Sequence, residues 1–306
     1  MSQFIQTINY KNFNVDVLRL DLLQPNIQGN KYYKLKYNIV QARKENKSIL
    51  LSFGGAYSNH IAALAKLGAL EKFTTIGIIR AEEHEDLSYT LKEAEQNGML
   101  FKFCNRTDYR NFRKHLNNNN QEAFGELLKK YLPKIDEKEV YIIPEGGTNS
   151  LALKGTQEIL DVIEKAYEYI CCPVGTAGTI SGIIASSKYS NIIGFPALKG
   201  NFFEKEINTL LKQISNETYS NWEINSDYHF GAYAAFNNDL ISFINRFYSD
   251  YAIPLEPIYT AKMFYGIFDM IAKNKFALDS KILAIHTGGL QGIKGFNEKH
   301  GDLLNT

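Results

Sequence analysis

The 306-residue chain is 44% hydrophobic and 22% charged, the balance of a folded protein with a real apolar core. Its formal net charge of +1 argues against nucleic acid as the main partner, because phosphate backbones need concentrated positive charge. No apolar run approaches the roughly 20 residues that span a bilayer, and Met1 to Tyr10 lacks a signal peptide's basic-then-apolar order, so a soluble, cytoplasmic protein is expected.

At this length two domains, or one large α/β unit, are expected. In chain order, strand-like runs fall at Val15–Leu20, Ser48–Phe53, Thr74–Ile79, Leu100–Cys104, Val140–Ile143, Tyr169–Pro173, Asn191–Phe195 and Lys281–His286. Helical patterns lie between them at Asn59–Leu70, Ser88–Asn97, Gln121–Tyr131, Leu151–Lys165, Thr179–Lys188 and Ala261–Asn274. This alternation predicts an α/β fold with open, mainly parallel sheets covered by helices on both faces. The run Asn117–Asn120 reads as a solvated loop. Cys104, Cys171 and Cys172 lack metal-ligand spacing, so buried free thiols and no metal site are expected.

Four strand ends carry glycine-rich turns: Gly54-Gly55, Gly146-Gly147, Gly175 to Thr179, and Gly288-Gly289. Ligands of open parallel sheets bind at the carboxyl ends of strands, where such turns expose backbone N–H groups. The loop Gly175-Thr176-Ala177-Gly178-Thr179 has the physics of a phosphate cradle, with small residues, two hydroxyls and a helix N-terminus. It fits neither the P-loop nor the dinucleotide fingerprint, and the alternative reading of the loop by itself is a tight Thr-capped turn.

Lys31, in Gly29-Asn30-Lys31-Tyr32-Tyr33-Lys34-Leu35, stands just inside a helix start, where the macrodipole favours anions. That points to a task other than solvation, although a lysine in a basic segment is ordinarily a surface residue. Lys34 and Lys36 read as solvated. Ser58 or Asn59 reads as a helix cap, and His60 has no second histidine at metal-binding spacing.

Taken in series, these segments resemble the fold-type-II pyridoxal-phosphate enzymes that include 1-aminocyclopropane-1-carboxylate deaminase and D-cysteine desulfhydrase. The resemblance rests on Gly29, Asn30, Lys31, Lys34 and Leu35, then on Gly54, Gly55, Ser58, Asn59 and His60. It continues through Gly175 to Thr179, through Pro257, Tyr259 and Lys262, and ends at His286, Gly288 and Gly289. It implies a two-domain, three-layer αβα fold like that of the tryptophan synthase β-chain. A smaller domain of residues 46–155 would be inserted in a larger one, 1–45 plus 156–306, with the cofactor in the cleft between them.

The resemblance also implies roles. Lys31 would carry pyridoxal 5'-phosphate as a Schiff base and then move the substrate's α-proton. Gly175, Thr176, Ala177, Gly178 and Thr179 would hold the phosphate, Asn59 would bond the phenolic oxygen, and Thr287 would touch the cofactor. Ser58, Asn59 and His60 would bind the substrate carboxylate or assist proton transfer. Tyr233, Tyr259 and Thr260 would face the substrate, a small amino acid. A homodimer is implied as well.

The ring-opening deaminases resemble one another in having Glu and Leu where this chain has Thr260 and Thr287. A carboxylate beside the pyridine nitrogen favours its protonation and a strong electron sink, whereas a hydroxyl leaves the sink weaker. That suffices for expelling thiolate, so α,β-elimination is expected, with D-cysteine giving pyruvate, sulfide and ammonia. Ala177, Ala234 and Ala261 depart from family glycines, which bears on substrate identity more than on cofactor identity. The rival readings are a 1-aminocyclopropane-1-carboxylate deaminase, a non-catalytic protein that binds amino acid or cofactor, and a nucleotide-binding α/β enzyme.

Overall fold

The computed structural model describes residues 3–23, 27, 29–81 and 87–305, so Met1 and Ser2 of the N-terminal segment lie outside the described residues. Its strands are β1 (Ile5–Tyr10), β2 (Phe13–Arg19), β3 (Ile49–Gly55), β4 (Thr74–Arg80), β5 (Leu100–Cys104), β6 (Val140–Ile142), β7 (Tyr169–Val174), β8 (Asn191–Pro196), β9 (Trp222–Ile224) and β10 (Ile282–His286). The chain divides into two compact units, a larger one of residues 1–34 and 150–306 and a smaller one of residues 35–149. The first division falls inside the helix Asn30–Lys44, where the sequence reading places a boundary near 46.

The larger unit holds a six-stranded sheet in the order β1-β2-β10-β7-β8-β9. All its pairs are parallel except β1 with β2. Side chains alternate across the pleat, so neighbouring Cys171 and Cys172 enter opposite cores. Cys171 packs with Val15, Val17, Phe195 and Ala284 beneath the helices Asn238–Tyr251 and Thr260–Ala272. Ile170, Cys172, Leu283 and Ile285 pack on the other face against the helices Gly178–Ser186 and Phe203–Leu211. Each large aliphatic or aromatic side chain sequestered this way contributes about 1.5–3 kcal/mol, and this double coverage makes the sheet the middle of three layers.

The hairpin β1–β2 is absent from the sequence expectation. β1 carries Gln6, Thr7 and Asn9 among its apolar residues, so its hydrophobic signal is diluted, as suits an edge strand. A tight Lys11-Asn12 turn, with Lys11 at φ 52°, closes the Tyr10–Phe13 pair. β9 has three residues, too few to show a period.

The smaller unit has four parallel strands in the order β5-β4-β3-β6. Phe53 meets Phe112 and Phe124 from the helices Arg106–Asn117 and Gln121–Tyr131 on one face. The helix Asn59–Leu70 approaches β4 closely because Gly68 faces Thr75 with no side chain of its own. The asparagine run joins two helices: Asn118 and Asn120 are caps, and Asn119 takes the left-handed conformation. All three cysteines are buried and free, and burial pushes the Cys104 thiol up to about 11. Among the described residues no helix is long and apolar enough to cross a membrane.

Gly182 lets the helices Ser150–Gln157 and Gly178–Ser186 touch: a methyl there would lie 2.0 Å from Thr156 Oγ1 and 2.8 Å from its carbonyl carbon. Gly182→Ala is therefore expected to lower stability by about 1–3 kcal/mol, read as a lower urea midpoint at unchanged slope.

Candidate active site

In the larger unit the site begins where backbones come closest. Gly29, at φ +76°, donates its N–H to Leu20 O at 3.1 Å, and Asn30 donates its N–H to Thr287 O at 3.1 Å. A Cβ at position 29 would fall 1.9 Å from that same oxygen, so only glycine fits. This contact pins the start of the helix Asn30–Lys44 against the end of β10 and sets Lys31 on its first turn. Asn30 Nδ2 donates to Thr179 Oγ1 at 2.7 Å, and Lys31 Nζ donates to Asn30 Oδ1 at 3.4 Å. Burial pulls the Lys31 ammonium down to about 8, although the Glu256 carboxylate works in the opposite direction.

Lys34 corrects the sequence reading. It is 1% exposed rather than solvated, and its Nζ donates to Thr176 Oγ1 at 3.1 Å. Burial, and then the charge of Lys31, push its pKa well below the usual lysine range. The available signal was helical spacing, since residues three apart share a face.

The loop Gly175 to Thr179 leaves β7 and enters the nine-residue helix Gly178–Ser186, with Ala177 left-handed at φ 55°. Gly175 lies under the Tyr259 ring, where a Cβ would come within 2.9 Å of Cε1. Thr176 and Thr179 accept hydrogen bonds from Lys34 and Asn30, which leaves their own protons to be donated elsewhere. Helix-end N–H groups and two hydroxyls, with the Lys34 ammonium behind Thr176, form a donor set matched to a phosphate. The residues present therefore fit a phosphate-bearing aldehyde cofactor, with Lys31 as the amine.

Tyr259 and Thr260 open the helix Thr260–Ala272. The sequence reading places the Thr260 side chain on the substrate, but its hydroxyl is fully buried, accepting from Glu256 N at 3.0 Å and donating to Glu256 Oε1 at 3.2 Å. Glu256 is the residue that reading missed. Its buried carboxylate accepts the N–H groups of Ile258, Tyr259 and Thr260 at 2.9, 2.8 and 2.6 Å. Burial raises its pKa against those three donors. Tyr259 Oη lies 3.3 Å from Tyr233 Oη, the two rings meeting edge-on.

His286 ties these pieces to the sheet. Its Nε2 donates to Pro254 O at 2.8 Å, and its Nδ1 lies 3.0 Å from Asp21 Oδ1. Burial pushes the Asp21 carboxyl up, but His286 and Arg19 together hold it well below the usual carboxylate range. Thr287, the next residue, turns its backbone toward Gly29 and Asn30.

Ser58, Asn59 and His60 belong to the smaller unit. Ser58 caps the helix Asn59–Leu70, its Oγ accepting from Ile61 N at 3.3 Å. Asn59 is the half-buried first residue of that helix. His60 is buried, with Nε2 2.7 Å from Ser52 Oγ. Ser52 gives its own proton to Ile143 O at 2.7 Å, so His60 Nε2 is the donor of that pair. The Ser88 hydroxyl donates to Ala56 O and steadies the turn before Ser58. Lys31, the 175–179 loop, Thr287, Tyr233 and Tyr259 are thus linked within the larger unit, while Ser58, Asn59 and His60 share one turn of the smaller.

The family model described as "Pyridoxal-phosphate dependent enzyme" matches residues 11–288. A Thermotoga maritima protein provisionally named a 1-aminocyclopropane-1-carboxylate deaminase is 28% identical, over 95% of this chain and 94% of its own. A mitochondrial Arabidopsis thaliana protein, named a bifunctional D-cysteine desulfhydrase/1-aminocyclopropane-1-carboxylate deaminase, is 27% identical over 90% of this chain and 72% of its own. The crystal structure of an ACC deaminase homologue superposes with a TM-score of 0.78 at 24% identity, over 95% of this chain and 89% of that one. A hydrogen sulfide-producing enzyme from Fusobacterium nucleatum shares the fold, with a TM-score of 0.64 at 16% identity over 94% and 95% of the two chains. With a family match over nearly the whole length and a fold that agrees with it, this chain belongs to the pyridoxal-phosphate dependent enzymes.

Proposed function

We propose that this enzyme catalyses α,β-elimination from a small amino acid, with D-cysteine giving pyruvate, sulfide and ammonia as the leading case. The observation that carries the reading is at position 260, where a neutral hydroxyl is bonded to Glu256. The Glu256 carboxylate is itself engaged by three backbone N–H groups. Bound pyridoxal phosphate supplies the electron sink that makes the substrate's α-proton acidic. A weak sink is enough when the leaving group is a thiolate.

The chain's own residues would do the remainder. The Lys31 amine attaches the cofactor and carries the α-proton, and its lowered pKa keeps a neutral fraction near neutral pH. Thr176, Thr179 and the N–H groups at Gly175 and Ala177 hold the phosphate, with Lys34 supplying charge behind Thr176; the Gly178 N–H is instead donated to Thr176 O at 2.7 Å and shapes the loop. Asn59 bonds the phenolic oxygen, and Ser58 takes the substrate carboxylate. The His60 bond to Ser52 suits it to holding that turn in shape. Tyr233 and Tyr259 face the substrate as a pair. The working form is a cytoplasmic homodimer.

Ring opening of 1-aminocyclopropane-1-carboxylate is the second reading, favoured by the names of the relatives above. Product analysis separates the two. Sulfide and pyruvate from D-cysteine are expected to exceed 2-oxobutyrate from the cyclopropane by about tenfold or more in kcat/KM, a barrier difference of about 1.4 kcal/mol. Dominant 2-oxobutyrate would reverse the assignment.

Two further outcomes follow from the lysines. Lys34→Met is expected to weaken pyridoxal-phosphate binding by about 10- to 100-fold, the worth of one hydrogen bond to a charged group, as measured by spectral titration. Burial disfavours the charged Lys31, so its neutral form dominates above about pH 8 rather than above the ordinary lysine value. The rate at which cofactor-free protein captures pyridoxal phosphate is therefore expected to rise with pH and level off near pH 8 in stopped-flow absorbance.

A further inference from the structure

Lys262 is a buried cation with no role in the chemistry above. It lies on the first turn of the helix that follows Tyr259, and it is 0% exposed. Its Nζ donates to three backbone carbonyls: Ala197 at 2.9 Å, His229 at 2.8 Å and Ala232 at 3.3 Å. An ammonium has three N–H donors, so the set is saturated. Burial lowers the Lys262 pKa to about 8, and the Glu256 carboxylate opposes that shift.

What those carbonyls belong to gives the clamp its meaning. Ala197 immediately follows β8, a strand buried in the sheet. His229 and Ala232 bracket an open turn, with residues 231 to 234 exposed and Tyr233 47% exposed; within it Gly231 N–H donates to His229 Nδ1 at 2.7 Å and Ala235 N–H to Ala232 O at 3.0 Å, while the Phe230 ring meets Tyr265 edge-on. The turn is strained as well as open, with Phe230 at φ 56°, Gly231 at 107° and Ala234 at 60°. Left-handed residues such as Phe230 and Ala234 cost about 1–2 kcal/mol each, a strain that a constraint from outside the turn helps to offset. Lys262 supplies one by joining it to the end of β8 from beneath. It also ties the turn to the helix that begins beside Tyr259, so one side chain links the mounts of both tyrosines.

We propose that Lys262 is a positioning residue that holds Tyr233 against Tyr259 by clamping the 229–232 turn to the sheet. The clamp itself is a property of the protein alone; its effect on turnover rests on the reading above that the tyrosine pair faces the substrate. Lys262 touches neither member of the pair through its ammonium and acts only through the turn.

The test uses Lys262→Met, which keeps the length of the side chain and removes its donors. Hydrogen exchange of the 228–236 segment, followed by mass spectrometry, is expected to speed up by about tenfold or more while β7, β8 and β10 keep their protection. In the holoenzyme, kcat is expected to fall by about 10- to 100-fold, the scale of an ångström's misplacement, with cofactor affinity within about twofold of wild type. Tyr233→Phe in the Lys262→Met background is expected to cost no further activity, because the clamp and the phenol act as one unit. Unchanged exchange in the segment would overturn the clamp. Faster exchange with full activity, or independent multiplication of the two kinetic losses, would overturn the positioning role. If Tyr233→Phe alone leaves turnover intact, the tyrosine reading fails and the exchange result still decides the clamp. Should Lys262→Met not fold, Lys262→Gln carries the same readings.

Discussion

The larger unit is organised around a conflict of charge. Lys31 and Lys34 stand three residues apart on the first turns of one helix; Lys34 reaches Thr176 directly, and Lys31 bonds Asn30, whose amide reaches Thr179 at the start of a second helix. Both helix ends are positive poles, and each ammonium there forfeits hydration worth several kcal/mol. Burial lowers the pKa of both lysines, and the charge of Lys31 adds to the shift at Lys34. An anion placed at the loop would attract both ammonium groups and offset part of that burial cost. The site is therefore best understood as half of an electrostatic pair.

Holding such a site requires backbone contacts that leave little freedom. Gly29 presses on the Thr287 carbonyl, and Gly175 lies under the Tyr259 ring. The buried Glu256 carboxylate gathers the first N–H groups of the helix that presents Tyr259 and also opposes the downward shift of Lys31 and Lys262. His286 then couples Pro254, two residues before Glu256, to Asp21 and the sheet. Rigid sheet ends, close backbone approaches and one capped helix together fix the geometry in which a lysine can act as a base.

What was legible in the sequence was whatever repeats or stands in order. Strands buried on both faces, such as β3 and β10, read as short, mainly apolar runs. The edge strand β1 did not, because half of its residues are polar. Lys31 was legible through its neighbours in the chain, but Lys34 looked like any surface lysine, since burial is a tertiary property. Thr260 drew attention as the residue standing where others carry Glu, while the carboxylate that matters locally is Glu256, four residues earlier and folded back on the same turn. Ala177 and Ala234, noted as departures from glycine, both adopt positive φ in the structure, which explains why glycine suits those positions and shows that the backbone keeps the conformation regardless.

The central claim is that Lys31, rather than the buried Lys34 or Lys262, carries the cofactor. Reducing the holoenzyme with borohydride and mapping the fixed pyridoxyl group by peptide mass spectrometry tests it directly. The account predicts a single modified peptide bearing the group on Lys31, and loss of that modification in Lys31→Ala. A pyridoxyl group on Lys34 or Lys262, or no reducible linkage in protein supplied with cofactor, would contradict it.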